Sequence, residues 1–283
     1  MQPSAPAPST STSALPARRG AGGAILQAVV ASWQAKLRER MHERGLGGYL
    51  LMWMLRPIFE ISLAGLVYGS GHHDLVRYAV VALAANAFVF NTIFYIGEIL
   101  DGERMRGTLL GLFLAPCPPF AWLSGFTLVS LVETVLIAGV ALAFGHFAFG
   151  VSFDPNYPAL ALSLALFLAS LWGLGFCFSA VGVLIKKANQ LSNVIFPIAN
   201  LLGGIYYPVA LLPDWLRYPA RALPLGFGTQ ALASATLDHA GVRALAPQLL
   251  PLAAFALVLP VAGMLAFNWL ERLVRERGEL DLY

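Results

Sequence analysis

Apolar stretches alternate with short polar breaks along most of this chain, and six are long enough to cross a bilayer. They lie near 47–69, 78–98, 120–145, 158–185, 190–210 and 248–270. At about 1.5 Å per helical residue, each reaches across a hydrocarbon core of about 30 Å. Ahead of them, 24–46 reads as an amphipathic helix. Ile25, Val29, Trp33 and Leu37 recur about every fourth residue, and Lys36, Arg38, Arg40 and Arg44 gather at its end. Such a helix suits the membrane interface. Residues 1–23, rich in Pro, Ser, Thr, Ala and Gly, read as a disordered cytoplasmic tail without a signal-peptide core. Residues 272–283 read as a C-terminal tail.

Two breaks are unusual. Residues 98–116 open with charge (Glu98, Asp101, Glu103, Arg104, Arg106), turn at Gly107, and become apolar and helical from Leu109, with Thr108 as cap and Pro116 as stop. Held between two spans, this short amphipathic helix suits pressing against a partner at the membrane surface. Residues 211–240 are semi-apolar and cut by Pro213, Pro219 and Pro224. They read as short helices re-entering the outer leaflet, packed on protein. The expected fold is all-α and integral to the membrane: six spans (47–271), an N-terminal interfacial helix, a cytoplasmic helix at 98–116 and an outer re-entrant segment.

Composition agrees. The chain has 283 residues, 58% hydrophobic and 12% charged, with mean hydropathy +0.70. A soluble domain carries about 25% charged residues. The net charge of +3 is too small to imply nucleic-acid binding; its distribution sets orientation instead. With the N-terminus inside, thirteen Lys and Arg fall on cytoplasmic segments and four (Arg77, Arg217, Arg221, Arg243) outside, while Arg56 lies within a span. Both termini are therefore expected in the cytoplasm.

Enzyme chemistry finds little footing. No phosphate-cradling GxxxxGK[ST] loop occurs, nor HExxH or GxSxG. Cys117 and Cys177 are far apart, and His72, His73 and Asp74 on one short loop cannot close a metal site. No catalytic residue, metal or cofactor is expected on this chain. Ionisable residues at membrane depth are better clues. Arg56 and Glu60, four apart, either pair across one helical turn or line a path. Glu133, mid-span, makes a structural hydrogen bond or serves transport. Asn86, Asn91, Asn189, Asn193 and Asn200 read as interhelical hydrogen bonds.

Two motifs carry a resemblance. The first is ERMRGTLLGLFLAPCPPFAW, on Glu103, Arg104, Gly107, Thr108, Leu109 and Pro116. The second is GGIYYPVALLPDWLRYPARALPLGFGTQAL, on Gly204, Tyr206, Tyr207, Pro208, Leu212, Pro213, Trp215 and Pro224. Together, within six spans, they resemble the permease subunits of type 2 ATP-binding-cassette exporters over about residues 24–275. In that family an acidic residue usually follows Gly-Thr-Leu; here Leu110 stands, so Glu98 or Glu103 would supply the acid. The resemblance implies a homodimer, or a pair with a sister permease, docked on two copies of a cytoplasmic ATPase subunit that holds ATP and Mg. It implies that 98–116 is the coupling helix, through Glu98, Glu103, Arg104, Arg106, Gly107, Thr108, Leu109 and Pro116. The outer gate would comprise Tyr206, Tyr207, Pro208, Pro213, Trp215 and Pro224, with Arg56, Glu60 and Glu133 as path-lining candidates. Export from a bacterial inner membrane follows as the expected function. A membrane scaffold and an ion-coupled secondary transporter are the alternatives; a single midplane acid and no visible internal repeat weaken the second.

Overall fold

The computed structural model describes residues 45–68, 71–94, 119–185 and 188–277 continuously, with single positions among 27–38 and 99–107. Every regular element among them is helical: α1 Gly45–Tyr68, α2 His73–Val89, α3 Pro119–Phe149, α4 Tyr157–Ile185, α5 Ala188–Leu202, α6 Asp214–Arg221, α7 Pro224–Leu237 and α8 Ala246–Arg277. A π-helical turn, Phe90–Phe94, continues α2, and a 3-10 turn, Val209–Leu211, precedes α6. Gln27, Val30, Ala31, Trp33, Gln34 and Arg38 are helical and exposed, on the stretch expected to lie in the interface.

Four helical stretches among the described residues are long and apolar enough to cross a membrane: His73–Ile93, Ser130–Phe149, Tyr157–Val181 and Ala246–Leu270. They coincide with the second, third, fourth and sixth predicted spans. The first predicted span coincides with α1, 24 residues with Pro57 inside. The fifth coincides with α5, which stops at Leu202 after 15 residues.

Helix ends differ from expectation where charge was read as loop. His73, Asp74 and Arg77 belong to the first turns of α2, not to a turn before it. Asp74 suits the positive end of the helix dipole and sits 3.9 Å from Arg77, so charge here starts a helix. At the other end of the chain, α8 runs on through Arg277, into the predicted tail. The start of α4 follows simple rules. Asn156 Oδ1 accepts from the Ala159 amide at 3.2 Å, and Pro158 sits in the first turn, where no N–H is needed.

Helices α4 and α8 form the largest interface. A Cβ on Gly173 would overlap the backbone of Leu259 and Pro260, and one on Gly263 would sit 2.6 Å from Gly173 O. Backbone therefore meets backbone, as small residues allow between membrane helices. Lipid is as apolar as leucine, so this close contact, rather than exclusion of water, holds the pair. The outer flank of α8 bears exposed Leu250, Leu257, Val261 and Leu265, an apolar surface. Helix α2 is the opposite case: Val76 through Val89 are mostly buried. The main core gathers Val80, Leu83, Phe88, Phe167, Leu171, Ile205, Leu225 and Leu252 around α4.

Candidate functional site

One end of the bundle holds the C-terminus of α1, the N-termini of α2 and α4, and the C-terminus of α7. Here α7 departs from an ordinary span. Its 14 residues make about 21 Å of helix, short of a hydrocarbon core. Yet Leu225, Gly226, Gly228, Thr229, Ala231, Leu232, Ala233, Ala235 and Thr236 are all buried, which leaves only a narrow open stripe where Gln230 is exposed between half-buried Phe227 and Ser234. Its C-terminus meets the loop before α4: the Asp154 amide donates to Thr236 O (3.0 Å) and the Asn156 amide to Ala235 O (2.9 Å). Arg77 donates to Leu237 O at 3.3 Å. Its N-terminal half lies deeper, where a Cβ on Gly228 would overlap the Phe167 ring. Thr229 is eight residues, about 12 Å, below Leu237 along the helix. Helix α7 is thus a half-helix sunk among α2, α4 and α8.

The chain reaches α7 through a fixed turn. Helix α5 ends on Gly204, whose φ of +66° lies in the left-handed region, while the Ile205 amide donates to Asn200 O at 3.3 Å. That is the glycine-terminated helix end, and Ile205 is fully buried beside it. Tyr78 Oη donates to Gly204 O at 2.8 Å, and Tyr68 Oη donates to Tyr206 O. Thr229 Oγ1, on α7, lies 2.9 Å from Gly203 O. Three hydroxyls from three helices therefore pin the carbonyls of Gly203, Gly204 and Tyr206.

Within this segment the predicted gate residues separate. Tyr206, Tyr207 and Pro208 form the turn after α5; Tyr206 is 39% exposed and Tyr207 half-buried. Pro213 precedes α6, and Pro224 is the buried first residue of α7. Trp215 points away from the bundle, 71% exposed. Phe167, Tyr68, Tyr78 and Thr229 were not predicted. Tyr68 and Tyr78 were readable only as hydroxyl-bearing side chains at the ends of apolar stretches, and Phe167 in the middle of one carried no signal.

The ion pair is present and more enclosed than its spacing indicated. Arg56 Nε donates to Glu60 Oε1 at 2.9 Å. The guanidinium also lies 4.3 Å from the ring centroid of Phe90 and 5.3 Å from that of Phe196, the two rings meeting edge to face. A cation over aromatic faces is attracted by their quadrupoles. Arg56 thereby joins α1 to the π-turn and to α5. A small cavity of about 20 Å3 beside it is lined by Glu60, Leu83, Asn86, Asn91 and Ile137. Glu133 stands one turn before Ile137 on α3, half-buried, and does not line it. Asn91 donates to Thr134 Oγ1 at 2.7 Å, an interhelical bond of the expected kind. Of the coupling set, only Glu103 and Gly107 fall within the described residues. Gly107 is exposed, with φ +70°. Glu98, Arg104, Arg106, Thr108, Leu109 and Pro116 lie outside them.

A family model, ABC-2 type transporter, matches residues 35–237, from before α1 to the end of α7. The chain belongs to this family. It is therefore a transmembrane permease of an ABC transporter, and the family normally works with an ATPase subunit. A comparison with curated proteins gives no match to the permease. The matched region includes α5, the pinned turn and the half-sunk α7. The α4–α8 crossing is completed by a helix beyond it.

Proposed function

We propose that this permease is the membrane-spanning subunit of an ATP-driven exporter in a bacterial inner membrane. It crosses the membrane six times, α1 and α5 adding to the four long apolar stretches, with both termini cytoplasmic. Two permease subunits, identical or sister chains, form the path and dock on two copies of a separate ATPase, which binds ATP and Mg. Residues 98–116 transmit the motion of that ATPase, and α6 and α7 with the turn at 203–208 form the outer gate. The observation that carries this reading is the buried half-helix α7. A helix too short to span, packed on three long ones and tethered through hydroxyls, suits an element that shifts as those helices tilt. The left-handed turn at Gly107 supports the coupling role, because it sets the geometry of the transmitting segment.

The test is co-expression with the ATPase encoded beside the gene, extraction in mild detergent, and ATP hydrolysis with and without Gly107→Pro. Proline fixes φ near −65° and cannot adopt the +70° of Gly107. A complex that survives the substitution with an altered hydrolysis rate and lost export is expected. Normal export by Gly107→Pro overturns the coupling role.

A further inference from the structure

Between α6, α7 and the start of α8 lies a cleft of about 350 Å3, within the size range of small-ligand sites. Val209, Ala220 and Phe227 give it apolar walls, and Arg217, Arg221, Gln230 and Gln248 give it polar ones. The two arginines stand four apart on α6 and share a face. Arg217 is largely committed. Its Nη1 pairs with Asp214 at 3.0 Å, and its Nη2 donates to Ala210 O and Leu212 O at 2.9 Å each. Its Nε–H is buried and has no acceptor, and Gln248 Oε1 is buried and has no donor, among the described residues. Arg221 is exposed and makes no ion pair among them.

Arg221 is thus a spare cation on the cleft wall, and two further wall residues, Arg217 and Gln248, each carry a buried polar atom without a partner, a donor and an acceptor, beneath that surface. Buried groups of this kind carry a desolvation cost that a ligand relieves. One chemistry answers all three: an anionic oxygen for Arg221 and Arg217 Nε–H, beside a hydroxyl for Gln248 Oε1. The outward flank of α6 beside these arginines indicates the source. Trp215 and Tyr218 stand there 71% and 74% exposed, and such rings settle at the membrane–water boundary. That places the arginines at headgroup level.

We propose that this cleft binds the headgroup of an anionic phospholipid bearing a free hydroxyl, phosphate on Arg221 and Arg217, hydroxyl on Gln248. The bound headgroup bridges α6 and α7 to α8 and braces the half-sunk helix. This requires only that the chain sits in a bilayer, not that it couples to an ATPase.

The test is thermal unfolding of the full chain in neutral detergent with phosphatidylglycerol, phosphatidylcholine or soluble glycerol phosphate added. Phosphatidylglycerol should raise the melting temperature by about 5 °C more than phosphatidylcholine does. Arg221→Gln should weaken that response about tenfold, the loss of one charge-assisted contact. Gln248→Leu should weaken it too, without any change in charge, while both variants melt like the parent in phosphatidylcholine. A shift from glycerol phosphate with the same dependence on both residues keeps the site and makes its ligand soluble. Silence from it, beside a response to phosphatidylglycerol, assigns the lipid. Equal shifts with the two lipids, or a phosphatidylglycerol shift that survives both substitutions, overturn the proposal.

Discussion

Gly228 lies so close to the ring of Phe167 that a methyl group could not be added without moving one of them. Phe167 is fully buried in the long helix α4, so the short helix α7 is the part free to yield. Gly228→Ala should lower stability by about 1–3 kcal/mol, the usual cost of overpacking. Phe167→Leu should return much of that space, so the double variant should be more stable than the sum of the single losses predicts. Thermal melts of the four proteins check this; strict additivity would mean the two residues do not press on each other.

Tyr78 reaches across to Gly204 O, at the left-handed residue that ends α5. Tyr78→Phe keeps the ring and removes the donor, with an expected loss of about 1 kcal/mol. Hydrogen exchange should then rise at the Ile205 amide, whose bond to Asn200 O closes that helix end. Unchanged protection at Ile205 would show that the tyrosine does not hold the turn.

Arg56 has a carboxylate and two aromatic rings around it. Glu60→Gln alone leaves the guanidinium at membrane depth without its counter-charge, whereas Arg56→Gln with Glu60→Gln removes both charges. The single variant should therefore unfold more easily than the double. Arg56→Lys should also cost about 1 kcal/mol, because an ammonium does not lie flat on the rings. Phe196→Leu should then cost less in the background of the Arg56→Lys substitution than in the parent, measured as a double-mutant cycle.

Gly173 and Gly139 make a paired control. A side chain at Gly173 meets the backbone of Leu259 and Pro260, which cannot rotate aside; nothing lies within 4 Å of a Cβ at Gly139. Gly173→Leu should separate α4 from α8 and lower the yield of folded protein in detergent. Gly139→Ala should raise stability by up to about 1 kcal/mol, as expected for an open helical glycine. Size-exclusion profiles and melts distinguish them.

Local relations were legible in the sequence; distant ones were not. Arg56 and Glu60 are one turn apart, so helical geometry alone brings them together. Phe196 lies on another helix, and no spacing rule reaches it. Hydropathy located α2, α3, α4 and α8 because each is a long apolar run. It overran the end of α5, since Ile205, Tyr206 and Tyr207 are as apolar as a span while Gly204 has already turned the chain. It also placed the start of α2 too late, because His73, Asp74 and Arg77 look like loop residues although Asp74 suits a helix start. The prolines of 211–240 marked breaks, but the depth of α7 depends on the fit between Gly228 and Phe167, which pairs residues far apart in the chain.

The burial of α7 also constrains the order of events during biosynthesis. A segment of this length cannot be held in lipid by its own hydrophobicity, and one of its walls is α8, which leaves the ribosome after it. Its final seat therefore exists only once α8 has been threaded, so this end of the molecule is expected to mature late. Chains truncated before Ala246 should expose α7 to protease even where the earlier helices are already in place.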